Sequence, residues 1–201
     1  MAQGTGGRIK GTNTIVFTKE EEIPKERQKY CTYGKFVCDV KPTKAEPNRT
    51  RLTVGGDRIN YPNDCRTPTS DMLLVKLLFN SVISTKGAKF MTGDIKNFYL
   101  NTPLTRYEYV RLKLSDILEE VIQEYNLREK ASADRTEYIE IWKGMHELPQ
   151  AGLLAQQLLQ KRLEKHRYKQ SKLIPGFLTH KWRPIQFSLM VDNFGVKYQG
   201  K

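Results

Sequence analysis

The segment FSLMVDNFGVKY, residues 187 to 198, sets two apolar strand-like runs on either side of Asp192 and Asn193, residue types that accept tight-turn geometry. A chain carrying it is expected to build an antiparallel hairpin with a carboxylate at the tip. Asp94, in KFMTGDIKNFYL, also follows a short strand-like run, so folding can bring two hard oxygen ligands together around Mg²⁺. Asn193 offers only a neutral amide carbonyl where a further carboxylate would strengthen such a site.

A chain of 201 residues, 38% of them hydrophobic, can bury a real core in one or two compact units. Its formal net charge is +12, an excess that attracts phosphate backbones and makes binding fall as salt rises, so nucleic acid is the leading partner. The plainer alternative is a solvated basic surface. Cys31, Cys38 and Cys65 form no CxxC pair, which points to reduced, buried thiols rather than a disulfide framework or a zinc site. The N-terminus lacks the apolar core of a signal peptide, and no run approaches the roughly 18 apolar residues of a membrane span. An intracellular protein with no membrane partner is expected, and the sequon at Asn48-Arg49-Thr50 reads as a chance match.

Residues 1–30, with Gly4, Gly6, Gly7 and the charged run KEEEIPKERQK, read as a loosely structured N-terminal segment without a phosphate loop. YGKFVCDV and RTRLTVGG read as strands, the second closed by Gly55-Gly56-Asp57. A helix is predicted over 69–85, capped by Ser70, with an apolar face of Met72, Val75, Leu78, Phe79, Val82 and Ile83, and stopped by Gly87. FMTGDI reads as a short strand in which Gly93 is a weak member. YEYVRLKL and YIEIWK alternate with the period of half-buried strands, and a short helix runs from Ser115 to Tyr125. Pro149 opens the clearest helix, with Leu154, Leu158 and Leu159 on its apolar side and Lys161, Arg162, Lys165 and Arg167 at its end. Strands, helix, strands, helix and hairpin predict an α+β fold, an antiparallel sheet backed by helices on one face.

Asp94 before an aromatic pair, then LPQAG at 148–152 opening a helix, then the apolar-VDN hairpin, occur in an order that resembles a reverse transcriptase. RLTVGGDRINYP, DIKNFYLNTPL, GMHELPQAGLLAQQLL and SKLIPGFLTH make residues 31–201 similar to the copia-type class of long-terminal-repeat retrotransposons. The resemblance implies interleaved fingers and palm, the palm mainly 88–104 and 147–201, and RNA-directed DNA polymerase chemistry. It implies that Asp94 and Asp192 are the catalytic, metal-holding carboxylates for two Mg²⁺ ions, which clamp attacking and leaving oxygens when roughly 3.5 to 4 Å apart. It also implies nucleotide-contacting roles for Arg51, in a fingers strand beside Arg49, for Tyr99 as a steric gate against a 2′-hydroxyl, and for Gln150. The partners implied are an RNA template, a DNA primer or RNA–DNA hybrid, and deoxynucleoside triphosphates, in the cytoplasm or in a particle. Arg162, Lys165 and Lys197 are the residues expected to track a nucleic-acid backbone. The plainer roles are a strand-end aspartate for Asp94, core packing for Tyr99, a capping or surface amide for Gln150 and solvated charges for the basic residues.

Three departures from the family pattern predict impaired chemistry. Asn193 replaces the second hairpin aspartate at the altered catalytic position, which removes a charge beside the metals. Glu147 stands where a glycine is usual and is expected to strain its loop, and Gly93 is expected to loosen the support of Asp94. The sequence stops soon after the hairpin, so no thumb, RNase H, protease or integrase is expected within it. The alternative function is a catalytically inactive nucleic-acid-binding remnant of the same domain. A third is a ribonucleoprotein module that stacks bases on exposed aromatics.

Overall fold

The period-2 apolar runs all become strands. In the computed structural model, which describes residues 11–43 and 47–200, ten strands and five helices form among the described residues, in two compact units of mixed α+β architecture. Each unit owns one five-stranded sheet, where the sequence pattern had suggested a single sheet.

The first unit takes residues up to 64 and 99–151. Its strands are β1 (Ile15–Thr18), β2 (Thr32–Val40), β3 (Asn48–Val54), β5 (Pro103–Lys113) and β6 (Thr136–Lys143), in the order β1-β6-β5-β2-β3. Only the β2–β5 pairing is parallel. Val110 and Leu112 on β5 line up with Ile139 and Ile141 on β6 on one side of the ladder, all four buried, as alternation demands. Two carboxylates share that side. Glu108 lies opposite Ile141, and Glu137 lies opposite Leu112. Short helices α1 (Lys25–Gln28), α3 (Glu119–Glu124) and α4 (Leu127–Lys130) complete the unit.

Residues 11–30 are not the loose segment that their charge suggests. Ile15 and Ile23 are buried, and β1 pairs with β6 from Ile15↔Ile141 to Thr18↔Tyr138, so a few apolar residues among many charges are enough to anchor the run. The glycines at 4, 6 and 7 lie outside the described residues. None of the three cysteines is fully buried, and Cys31 and Cys38 are free thiols.

The second unit takes residues 65–98 and 152 onward. It contains α2 (Met72–Ile83), β4 (Ala88–Asp94), α5 (Ala151–Lys165), β7 (Tyr168–Gln170), β8 (Phe177–His180), β9 (Ile185–Met190) and β10 (Asn193–Gln199). Its sheet is wholly antiparallel, in the order β4-β10-β9-β8-β7. The N-cap of α2 is Asp71 rather than Ser70: Asp71 Oδ1 accepts from the Leu74 N–H at 2.7 Å. Ser70 is instead buried, donating through Oγ to the Gly176 carbonyl at 2.9 Å. Gly87 does end the helical region, at φ +75°.

Both long helices bury narrower faces than their patterns suggest. On α2 only Leu78 is buried, whereas Met72, Phe79 and Ile83 are exposed. On α5 the buried residues are Ala151, Ala155 and Gln156, with the leucines half-buried. Small side chains allow that close approach, and Gln156 is held by donating to the Pro68 carbonyl.

Candidate metal and nucleotide site

Asp94 is the last residue of β4, and β10 runs antiparallel beside it with the register Asn193↔Asp94. Beyond the ladder, the Ile95 N–H donates to the Asp192 carbonyl at 2.8 Å. Two segments almost a hundred residues apart in sequence therefore lie side by side at one end of the sheet, and Asp94, Asp192 and Asn193 are brought together in the second unit.

The hairpin differs in one detail from its sequence pattern. The turn residues are Val191 and Asp192, while Asn193 already belongs to β10 and pairs with Met190 as the closing pair. Val191 has φ +58°, a left-handed conformation that β-branched residues rarely adopt and that costs of order 1–3 kcal/mol. Asp192, next to it, is half-buried, and its Oδ1 accepts from Asn193 Nδ2 at 3.1 Å. The amide thus already spends a donor on the carboxylate that would hold a cation.

Gly93 does not loosen this end of the sheet. A Cβ at Gly93 would land on the ring of Phe194, its partner on β10, and Phe194 is itself stacked on Phe187 at 5.2 Å. An aromatic ring fills the place a side chain would take. On the opposite side of the same strands, Phe90 covers Gly195, whose Cβ would stand 2.8 Å from the ring. A groove of about 860 Å³ runs between α2 and this sheet, with Val75, Phe79, Phe90 and Met190 in its walls and Asp94 and Asn193 also on its lining.

Asp94 and Asp192 are hard oxygen donors on neighbouring segments, and Mg²⁺ is commonly held by one or two carboxylates with waters and substrate phosphates completing the octahedron. By the chemistry of its donors, two carboxylates with the Asn193 carbonyl oxygen as a neutral neighbour, the pair is of the kind that could hold one such ion. Among the described residues no cluster of three or more His, Cys, Asp or Glu side chains forms a metal site.

Arg51, Tyr99 and Gln150 belong to the first unit. Arg51 is half-buried on β3 opposite Val37, and its Nε has no hydrogen-bond acceptor; the side chain of Arg49 lies outside the described residues. Tyr99 is half-buried and meets His146 edge to face at 5.3 Å. Gln150 is neither a surface amide nor a cap: it is buried and donates through Nε2 to Glu108 Oε1 at 3.0 Å. Arg27 reaches Glu108 Oε2 at 2.6 Å, and Arg106 reaches Oε1 at 2.7 Å. Glu147 stands at φ +71°, as its glycine-like place suggests, and its carbonyl occupies the space where a Cβ on Gly56 would fall.

The residues expected to follow a nucleic-acid backbone are divided. Arg162 and Lys165 are exposed at the end of α5. Lys197 is committed elsewhere: its ammonium donates to the Ser81 carbonyl and hydroxyl, each at 3.0 Å, and to Thr85 Oγ1 at 2.8 Å, tying β10 to the C-terminal end of α2. Sequence reading missed the cluster of Arg167, Tyr168, His180 and Trp182. Its signal was present in HKWRP, an aromatic residue set among cations. No helix is long and apolar enough to cross a membrane among the described residues. No protein-family model, curated protein or solved structure matches the chain.

Proposed function

We propose that this chain is a fingers-and-palm piece of a reverse transcriptase of the copia type, with a carboxylate site of reduced strength for nucleotidyl transfer. The observation that carries the reading is the register Asn193↔Asp94, with the Ile95 N–H on the Asp192 carbonyl, since it sets two aspartates from distant motifs side by side at a hairpin. Asp94 and Asp192 would hold Mg²⁺, which when bound supplies charge neutralisation for a triphosphate and activation of a primer hydroxyl. Phosphoryl transfer demands mainly positioning and electrostatic stabilisation, so few residues need to match. The net charge of +12 supports a nucleic-acid partner, RNA template with DNA primer or their hybrid.

Asn193 makes the site weaker. It removes a charge that a pair of ions would need, and its amide hydrogen-bonds to one oxygen of Asp192. Each loss of about 1.4 kcal/mol in transition-state stabilisation slows a reaction roughly tenfold. Primer extension by the purified chain in Mg²⁺ is therefore expected to be slow, abolished by Asp94→Ala, and raised at least tenfold by Asn193→Asp. Extension that persists in Asp94→Ala would overturn the assignment. Absence of extension from both the native chain and Asn193→Asp, together with unchanged Mg²⁺ affinity, would favour the inactive nucleic-acid-binding remnant.

A further inference from the structure

We propose that the corner of the second unit formed by the end of α5, β7, β8 and the 181–184 turn is a docking surface for a single strand of nucleic acid, with Trp182 stacking an unpaired base. The proposal rests on the nucleic-acid reading of the chain's charge and is independent of its metal site.

Charge concentrates here. Residues 161–183 carry eight lysines and arginines against one carboxylate, Glu164, so much of the chain's basic excess falls in a short stretch. Alone, such a run would be a solvated face. The fold adds an aromatic platform to it. The register Tyr168↔His180, with the Lys181 N–H on the Arg167 carbonyl at 2.9 Å, brings the end of the α5 turn against the 181–184 turn. His180 stands edge-on to Tyr168 at 5.0 Å and to Trp182 at 5.1 Å, and the Arg167 guanidinium lies 5.9 Å from the Trp182 ring centre.

Trp182 is nonetheless 63% exposed, which leaves a large apolar ring in water among cations. It is also held in place. His180 Nδ1 accepts from the backbone N–H of Trp182 at 3.3 Å and of Arg183 at 3.1 Å, so the turn has little freedom left to lose on binding. Beside it a depression of about 290 Å³ is lined by Thr179, His180 and Arg183, polar groups suited to sugar and phosphate oxygens.

The partner follows from the chemistry. Cations at this density select a polyanion, and an exposed indole within a few ångströms of a guanidinium selects one that offers π faces. A duplex hides its base faces, and a sulfated polysaccharide has none. A single strand offers both phosphates and bases.

The full chain with Trp142→Phe, so that Trp182 alone reports, is titrated with twelve-nucleotide oligo(dT) and oligo(rU), a twelve-base-pair duplex, and heparin. Both single strands are expected to quench Trp182 and to bind more tightly than the duplex, with affinity falling linearly in log salt. In the chain with native Trp142, anisotropy of labelled oligonucleotide is expected to show Trp182→Ala weakening single-strand binding roughly tenfold or more, with heparin binding unchanged. Trp182→Phe should retain most of the affinity. Arg167→Ala combined with Lys181→Ala should flatten the salt dependence. Equal losses for heparin and oligonucleotide in Trp182→Ala, absence of quenching, or duplex bound as tightly as single strand would overturn the proposal. Asp94→Ala is expected to leave this binding intact, so a failed extension assay and a failed docking surface are told apart.

Discussion

Glu108 and Glu137 face the same apolar side of the β5–β6 ladder and have opposite fates. Glu108 is surrounded by two guanidiniums and the Gln150 amide, which satisfy a buried carboxylate with charge-assisted hydrogen bonds. Glu137 is fully buried, and neither of its carboxylate oxygens has a hydrogen-bond partner. Burial pushes its carboxyl up to about 7, with Lys130 pulling weakly the other way. A carboxyl whose value is raised on folding contributes stability that is fully present below about pH 4.5, falls as the unfolded chain ionises, and is lost by the time pH passes about 7. The loss across that window is of order 3 kcal/mol. Glu137→Leu is expected to flatten the pH dependence of the denaturation midpoint between pH 4.5 and 7. An unchanged profile would mean that Glu137 is not the group that titrates.

At the scale of single elements, β4 and β10 carry Asp94 and Asn193 of the candidate site and are fitted to each other through their glycines. Phe194 over Gly93 and Phe90 over Gly195 leave no room for added carbons. Because Phe194 is stacked on Phe187, it cannot swing away cheaply. Gly93→Ala is expected to destabilise the chain by about 1–3 kcal/mol, the usual penalty of overpacking, and Phe194→Leu in the same chain should recover part of it. Equilibrium urea denaturation of the two single variants and the double variant measures this, and additive effects would show that the ring and the glycine are not coupled. The hairpin tip has its own strain. Val191→Gly relieves the left-handed valine, and a rise in midpoint of up to a few degrees is expected despite the greater freedom of the unfolded chain. A fall would show that the turn is not strained.

Over the whole molecule, periodicity was the most readable property, because alternation of apolar and polar residues is imposed directly by the pleat. β2, β3, β5, β6, β9 and β10 all fall where their patterns place them. What the pattern could not supply was long-range pairing. β4 joins β10 across a separation that includes the whole of the first unit's second segment, and no local signal distinguishes two sheets from one. Helix faces were misjudged for a related reason: apolar residues on α2 are visible in sequence, but their exposure depends on what packs there. The juxtaposition of Asp94 with Asp192 was legible from motif order, whereas the burial of Gln150 was not, since it depends on Arg27 reaching, from a distant segment, the Arg106–Glu108 pair of β5.

The strand order of the second unit also says something about how the molecule assembles. β10, the last strand among the described residues, is inserted between β4 and β9 rather than added at an edge. Until it arrives, β4 and the β7–β9 meander each expose an unpaired edge, and the closing contact must span a long loop. The carboxylate pair therefore has no precursor in any shorter piece of the fold. It exists only once β10 pairs with β4 and seals the sheet, and slow or interrupted pairing would leave two strand edges open to neighbouring chains.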